Sequence, residues 1–262
     1  MNEHQHMRPD VTPSRREVLR GGIAAVAGLG FGCRRGRGSA LTETNSSPIP
    51  PGDPDVEVAL RATPTRVLLD PSSKQATRVW RYEGRLLRGP SDALTSFDTG
   101  YLGPTFHVRT GQRVRVQFEN GLAESSIVHW HGLDVSQEND GHPRFAVPAG
   151  GRRVYDFEVT GRPATYWYHP HPHMRTGAQV YQGLAGVLLV QDDEEDRLAL
   201  PSGEAALLCV IQDRQFDARN QLVFHGGGMM EMMNGFLGDR VLVNACRSRQ
   251  RRWTPRGTGC AW

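Results

Sequence analysis

Two His-x-His units stand in this chain: His129-Trp130-His131-Gly132 and, about forty residues on, Trp167-Tyr168-His169-Pro170-His171-Pro172-His173. On an extended strand, residues i and i+2 point to the same face. Each unit therefore aims two imidazoles at one spot, and two such strands side by side offer four. Imidazole suits zinc, copper, iron and nickel alike. The absence of an adjoining Asp, Glu or Cys ligand tilts the choice toward an all-histidine copper centre. A zinc hydrolase pattern fails on spacing, because Asp134 falls one position late for a His-x-His-x-Asp set and no His directly follows it. A single His-x-His is commonly two half-exposed strand histidines. Two copies, one led by Ile127-Val128 and the other by Tyr166-Trp167-Tyr168, point to a built site.

The elements that must carry these histidines read as strands and turns. Val56 to Leu69 and Thr77 to Tyr82 are expected as strands, followed by Thr105 to Phe118 with a turn at Gly111. Within the last, Arg113-Val114-Arg115-Val116-Gln117-Phe118 alternates polar with apolar residues, the pattern of a strand with one buried face. Asn120-Gly121 is a turn signal. Then come the first histidine strand (Ser126 to Val135), an acidic loop (Gln137 to His142), a turn at Pro148-Ala149-Gly150-Gly151, and a strand from Arg153 to Val159. The second histidine strand starts at Thr165, and Gly183 to Gln191 completes a β-sandwich of ordinary domain size. The acidic run Asp192 to Asp196 lacks the alternation and glycine of a calcium loop and reads as a solvated linker. Ala206 to Gln212 reads as a buried strand, with Cys209 a core thiol between Leu208 and Val210.

With 30 glycines and 17 prolines among 262 residues, and only short apolar segments, the composition favours an all-β protein rich in turns. The net charge of +3 is unevenly spread: residues 1–40 hold seven Arg against three acids and residues 246–262 five Arg against none, leaving 19 basic and 25 acidic side chains between. The body is acidic and carries no basic stripe interleaved with aromatics, which argues against a nucleic-acid partner.

Ser14-Arg15-Arg16-Glu17-Val18-Leu19 precedes the weakly apolar stretch Gly21 to Gly32, which is too short for a permanent transmembrane helix. The order of arginines, apolar run and polar linker is that of a twin-arginine export signal, which places the protein in the periplasm or cell envelope. Cys33 closes the run in only a loose likeness of a lipoprotein cleavage box, and an ordinary cleavage near Ala40 is the alternative. The expected organisation is a signal region at 1–40, a linker at 41–55, a first domain with both histidine motifs at 56–195, an incomplete second domain at 200–245 and a basic tail at 246–262. Cys209, Cys246 and Cys260 have neither metal-finger nor redox spacing and indicate no disulfide framework.

Taken together, Gly103-Pro104-Thr105 with Gly111, the HWHG strand, Asp140-Gly141, WYHPHPHMRTGAQVYQGLAGVLLV, IQDRQFD and GFLGDRVLVN resemble the multicopper oxidases, in particular the exported bacterial cuprous oxidases and spore-coat laccases. The resemblance runs from about Pro104 to Asn244. It implies an all-β, cupredoxin-like Greek-key β-sandwich with the start of a second cupredoxin-like domain. It further implies copper at type 2 and type 3 positions: His129 on the type 2 ion, His131 and His169 on one type 3 ion, and His171 on the other. His173 is read as a neighbour of these or as a surface residue. Asp134 and Asp140 could orient a histidine or relay protons to reduced oxygen, with turn or solvent roles equally open. The implied reaction is one-electron oxidation of a small donor, such as a phenol or Cu(I), coupled to dioxygen reduction.

That chemistry needs more than this sequence holds. A type 1 copper takes two His, a Cys and a weak axial ligand, yet none of Cys209, Cys246 and Cys260 is flanked by histidine, and after His173 only His225 remains. Val241-Leu242-Val243-Asn244 is followed by ACRSRQRRWTPRGTGCAW, which has no acid and no apolar periodicity. A truncated or frameshifted product, inactive alone, is therefore expected, with a basic tail that binds a membrane or acidic partner as the alternative. Two further readings stay open: a non-catalytic copper-binding or scaffold module, and one half of a split or oligomeric oxidase whose missing ligands come from a second chain. The four methionines within Met229 to Met233 could hold Cu(I), though adaptable apolar filling is the plainer reading.

Overall fold

The computed structural model describes residues 49–69, 74–97, 100–198, 200–201, 205–224, 233 and 235–246. The signal region, Cys33, Met229 to Met232, His225, Cys260 and the tail from residue 247 lie outside them.

Alternating burial along β1 (Val56–Val67), β5 (Arg113–Asn120) and β7 (Arg152–Glu158) creates one apolar face. With β2 (Thr77–Arg88) these strands form a sheet ordered β2-β1-β5-β7, in which β1 runs parallel to β5 and the other pairs are antiparallel. The second sheet is ordered β3-β4-β9-β8-β6. Its members are β3 (Leu94–Thr95), β4 (Thr105–Arg109), β6 (Val128–His131), β8 (Ala164–Pro170) and β9 (Gly186–Gln191). The two inner faces share one core. Val58, Leu60, Val116, Phe118 and Tyr155 come from the first sheet, and Phe106, Trp130, Tyr168 and Leu188 from the second. The fold is all-β and cupredoxin-like. Non-consecutive strands are neighbours in both sheets, as a Greek-key sandwich requires.

Aromatic edges fill the centre. Phe106 meets Trp130 and Tyr168 edge-on at centroid separations of 5.9 and 5.3 Å, and Trp130 meets Tyr155 at 5.6 Å. Burial pushes the phenol pKa values of Tyr82, Tyr155 and Tyr168 up. Tyr155 also accepts the backbone N–H of Val128 at 2.9 Å, which fixes the start of β6.

Several elements differ from the sequence reading. The first histidine strand is confined to Val128–His131, because Gly132 takes φ +93° and turns the chain. The second ends at Pro170, and Thr176–Gln182 forms a helix, α1, closed by Gly183 at φ +126°. The acidic run folds as a short exposed helix, α2 (Asp193–Arg197). The Asp192 side chain caps it by accepting from Glu195 N–H at 2.8 Å, and Arg109 bridges Asp193 and Asp196 at 2.6 and 2.8 Å. Pro50, Pro51, Gly52 and Asp55 are tied to Arg113 and Arg115 by hydrogen bonds, and both guanidinium groups also grip Asp156 at 2.6 Å.

Beyond α2, β10 (Ile211–Arg214) pairs with β11 (Arg240–Val243) in a two-stranded sheet. Its Leu242 joins Leu69, Val79, Tyr101 and Ala245 in a second, smaller core. The reading of Cys209 as a core thiol is corrected: the residue is exposed. The backbone around it is held by Asn244, whose side chain accepts from Val210 N–H and donates to the Leu208 carbonyl and whose own N–H donates to the Val210 carbonyl at 2.8 Å. Cys246 is the buried thiol of the two. No helix among the described residues is long and apolar enough to cross a membrane.

Candidate metal centre

The four motif histidines come together on the outer face of the second sheet, at its edge strand. Val128 and Trp130 point into the core, so the two-residue period sends His129 and His131 outward. On β8 the same rule buries Tyr168 and turns Trp167 and His169 out. Antiparallel pairing sets His129 opposite His169 and His131 opposite Trp167. The His129 ring then stands 5.4 Å from His131, 5.3 Å from His169 and 5.5 Å from His171, centroid to centroid. His171, just past the end of β8, is 6.1 Å from His169.

Ring nitrogens of His129, His131 and His169 all lie within 4.8 Å of one another. The closest pair, His131 Nδ1 and His169 Nε2, are 3.1 Å apart. Two neutral imidazoles at that distance either share a proton or turn both lone pairs on a common ion.

The surroundings select which nitrogen each ring presents. His129 Nδ1 faces the backbone carbonyl of Asp140 at 2.6 Å and the Asp140 carboxylate at 3.1 Å. A proton held there leaves Nε2 as the free lone pair. His169 Nδ1 faces the Pro170 carbonyl at 2.9 Å, which again frees Nε2. Trp167 stacks on His169 at 4.1 Å and leans on His131 at 5.0 Å, walling one side. Burial, reinforced by the neighbouring imidazoles, pushes His169 down to about 4, so this ring is neutral across the physiological range. His169 is buried, His129 half-buried, and His131 and His171 exposed.

Asp140 reaches His129 only because of the residue that follows it. Gly141 sits at φ +75° against β6, where a Cβ would run into the Val128 carbonyl and stand 2.7 Å from His129 Cα. Asp134 lies elsewhere: it is exposed, and its backbone carbonyl accepts from Thr160 Oγ1 at 3.2 Å. His173 and Met174 are exposed.

One group that motif reading missed ties both histidine strands together. Gln179 of α1 is fully buried; its Oε1 accepts from Ser126 Oγ at 2.8 Å, and its Nε2 donates to Glu124 Oε1 and the Ser125 carbonyl at 2.8 and 2.9 Å. Arg175 clamps the same Glu124 at 2.8 Å. The carboxyl of Glu124 sits below its ordinary pKa; desolvation, the largest influence, works the other way, and the hydrogen bonds from Arg175 and Gln179 with the Arg175 charge outweigh it. The segment entering β6 is thus fastened to the segment leaving β8. No spacing signal could have revealed Gln179, whose partners lie more than fifty residues away.

The donor set fits copper. It is a converging group of imidazoles with the lone pairs of His129 and His169 set by carbonyl partners, as metal-binding histidines require.

The chain matches the family model described as "Multicopper oxidase" over residues 79–195. It is 35% identical over 148 residues to multicopper oxidase mco of Staphylococcus aureus, covering 56% of this chain and 32% of that protein. It is 31% identical over 243 residues to cell division protein FtsP of Salmonella typhimurium, covering 90% of this chain and 46% of that protein. Among solved structures, McoA multicopper oxidase from the hyperthermophile Aquifex aeolicus superposes with a TM-score of 0.61 at 35% identity, covering 74% of this chain and 39% of that one. The chain spans less than half the length of each of these relatives.

Proposed function

Residues 79–195 belong to the multicopper oxidase family, and from that premise we propose that this chain holds copper through His129, His131, His169 and His171, at the type 2 and type 3 positions of that family's oxygen-reducing centre. The observation that carries the reading is the convergence of four imidazoles across one β6–β8 ladder. Bound copper would supply one-electron redox chemistry, joining oxidation of a small donor to reduction of dioxygen.

The chain's own residues prepare that site. His129 is aimed by the Asp140 carbonyl and carboxylate, and His169 by the Pro170 carbonyl. Low basicity keeps His169 free of a competing proton. Trp167 excludes water from one side of the His131–His169 pair. Asp140 is the acid that lies beside the site, its carboxylate 3.1 Å from His129 Nδ1, whereas Asp134 is exposed and its carbonyl accepts from Thr160 Oγ1.

These four histidines are half of what the family's oxygen-reducing cluster uses, and this sequence places no histidine beside a cysteine for a type 1 site. Copper binding is therefore the activity proposed for the chain itself. Oxidase turnover is proposed only where further ligands join these four, from more of the same polypeptide or from a second chain. Delivery by the twin-arginine route to the periplasm or envelope belongs to the same proposal.

A second reading, a non-catalytic copper-binding or scaffold module, draws support from the match to FtsP, which extends over more of this chain than the oxidase match does. Isothermal titration with Cu(II) and an oxidase assay with a phenolic donor separate the outcomes. The copper reading expects saturable binding that weakens at least about tenfold in His129→Ala and His169→Ala. Binding untouched by either substitution would remove it. Oxidation of the phenol by the copper-loaded chain alone would contradict the need for further ligands, and a well-folded chain that binds no copper leaves the scaffold reading.

A further inference from the structure

The geometry points to a second binding site, a cleft for a small oxyanion between the 3-10 turn Pro143–Phe145 and the start of β7. The cleft holds about 230 Å³ and is lined by Arg144, Arg152, Arg153 and Phe145, together with Val147 and Pro148. That volume admits a phosphate, a sulfate or a small carboxylate and falls below the range of drug-sized or nucleotide pockets, which begin near ~300 Å³.

Two of the three guanidinium groups are held in place with no carboxylate partner among the described residues. Arg144 and Arg153 both lie against the Phe145 ring, at 4.5 and 4.8 Å from its centroid, and Arg153 also approaches Tyr155 at 5.6 Å. Aromatic contact orients a guanidinium while leaving its in-plane N–H groups available. The hydrogen-bond partners that these two do have are neutral: Arg144 donates to Gln137 Oε1 at 3.0 Å, and Arg153 donates to the Glu138 carbonyl. Arg153 Nε is buried and has no partner among the described residues. Among the described residues, Arg152 is the one of the three that meets a carboxylate, that of Glu119 at 3.1 Å. A buried N–H left unpaired is costly, and two pre-oriented forks facing one cleft are the arrangement that recognises carboxylate or phosphate oxygens.

The site would act on the loop that serves the histidines. Residues 137–147 carry Asp140 to His129 and are docked on β7 through Asn139 Oδ1, which accepts from Asp156 N–H at 2.8 Å, and through the Arg153 bond to Glu138. An oxyanion joining Arg144, on that loop, to Arg153, on β7, fastens the loop further.

The test is titration of inorganic phosphate, and separately acetate, into the full metal-free chain by calorimetry, with thermal unfolding read alongside. Saturable binding that raises the melting temperature, and that falls about tenfold or more in Arg144→Ala and in Arg153→Ala but not in Arg81→Ala, is expected. A preference for phosphate or for acetate assigns the source of the oxyanion. No saturation by ~10 mM, or binding indifferent to both cleft substitutions, overturns the proposal. Arg144 is exposed, so its variant keeps the test decisive if Arg153→Ala does not fold. Because no metal is used, failure here leaves the copper reading untouched.

Discussion

His129 and His169 stand directly opposite each other across the β6–β8 ladder, with ring centroids 5.3 Å apart. Each ring has one nitrogen turned to a backbone carbonyl, of Asp140 and Pro170 respectively. The cross-strand pair is thus oriented by main-chain atoms, which side-chain substitution cannot remove.

Asp140 adds a carboxylate to that main-chain contact. Asp140→Ala is expected to leave the carbonyl bond to His129 intact and to weaken copper binding at the lower end of the ~10–100-fold range seen for outer partners of metal ligands. Asp140→Asn should lose less. Titration of both variants with Cu(II) checks the order.

Gly141 is required by the backbone. An alanine there must adopt φ near +75° and displace β6 at Val128 and His129. Such strain costs on the order of 1–3 kcal/mol before the steric clash is counted. Thermal unfolding of Gly141→Ala should show a clear loss of stability. Retention of the wild-type melting temperature would mean that the loop does not pack on β6.

Gln179→Leu retains volume but strands the buried Ser126 hydroxyl and takes one hydrogen bond each from the Ser125 carbonyl and from Glu124, which keeps Arg175. Each buried polar group left unpaired costs about 1–3 kcal/mol, so chemical denaturation should report a loss of at least that size. Gln179→Glu is expected to be no better, because it sets a second carboxylate against Glu124.

Acid should act through His169. A histidine titrates near 6.5 when unfolded, and burial lowers this one to about 4. Between those values the unfolded chain takes up a proton that the folded chain refuses, so stability falls as pH drops through that window and levels off below it. Unfolding free energy of the metal-free protein, measured from pH 7 to 4, should slope downward, with a shallower slope in His169→Gln.

Much of this arrangement is readable in the chain because strand periodicity is local. The alternation in Arg113 to Phe118 marks β5, and the two-residue period of each His-x-His unit places both imidazoles on one face. Where structure depends on distant partners, local reading fails. The first histidine strand is shorter than Ser126 to Val135 because a positive-φ glycine follows His131. Thr176 to Gln182 carries too short an apolar repeat to announce a helix. Cys209, set among apolar residues, is exposed, and among the described residues β10, which follows it, has only β11 beside it. Gln179 and the arginine cleft are assembled from segments that have no common pattern.

The central claim, that the four motif histidines hold copper, is tested most directly by electron paramagnetic resonance of the Cu(II)-loaded chain. Stoichiometric copper with nitrogen hyperfine coupling from imidazole is expected, lost or altered in His129→Ala and His169→Ala while His107→Ala leaves the spectrum unchanged. A spectrum identical in all three variants and the wild type would place the copper elsewhere and contradict it.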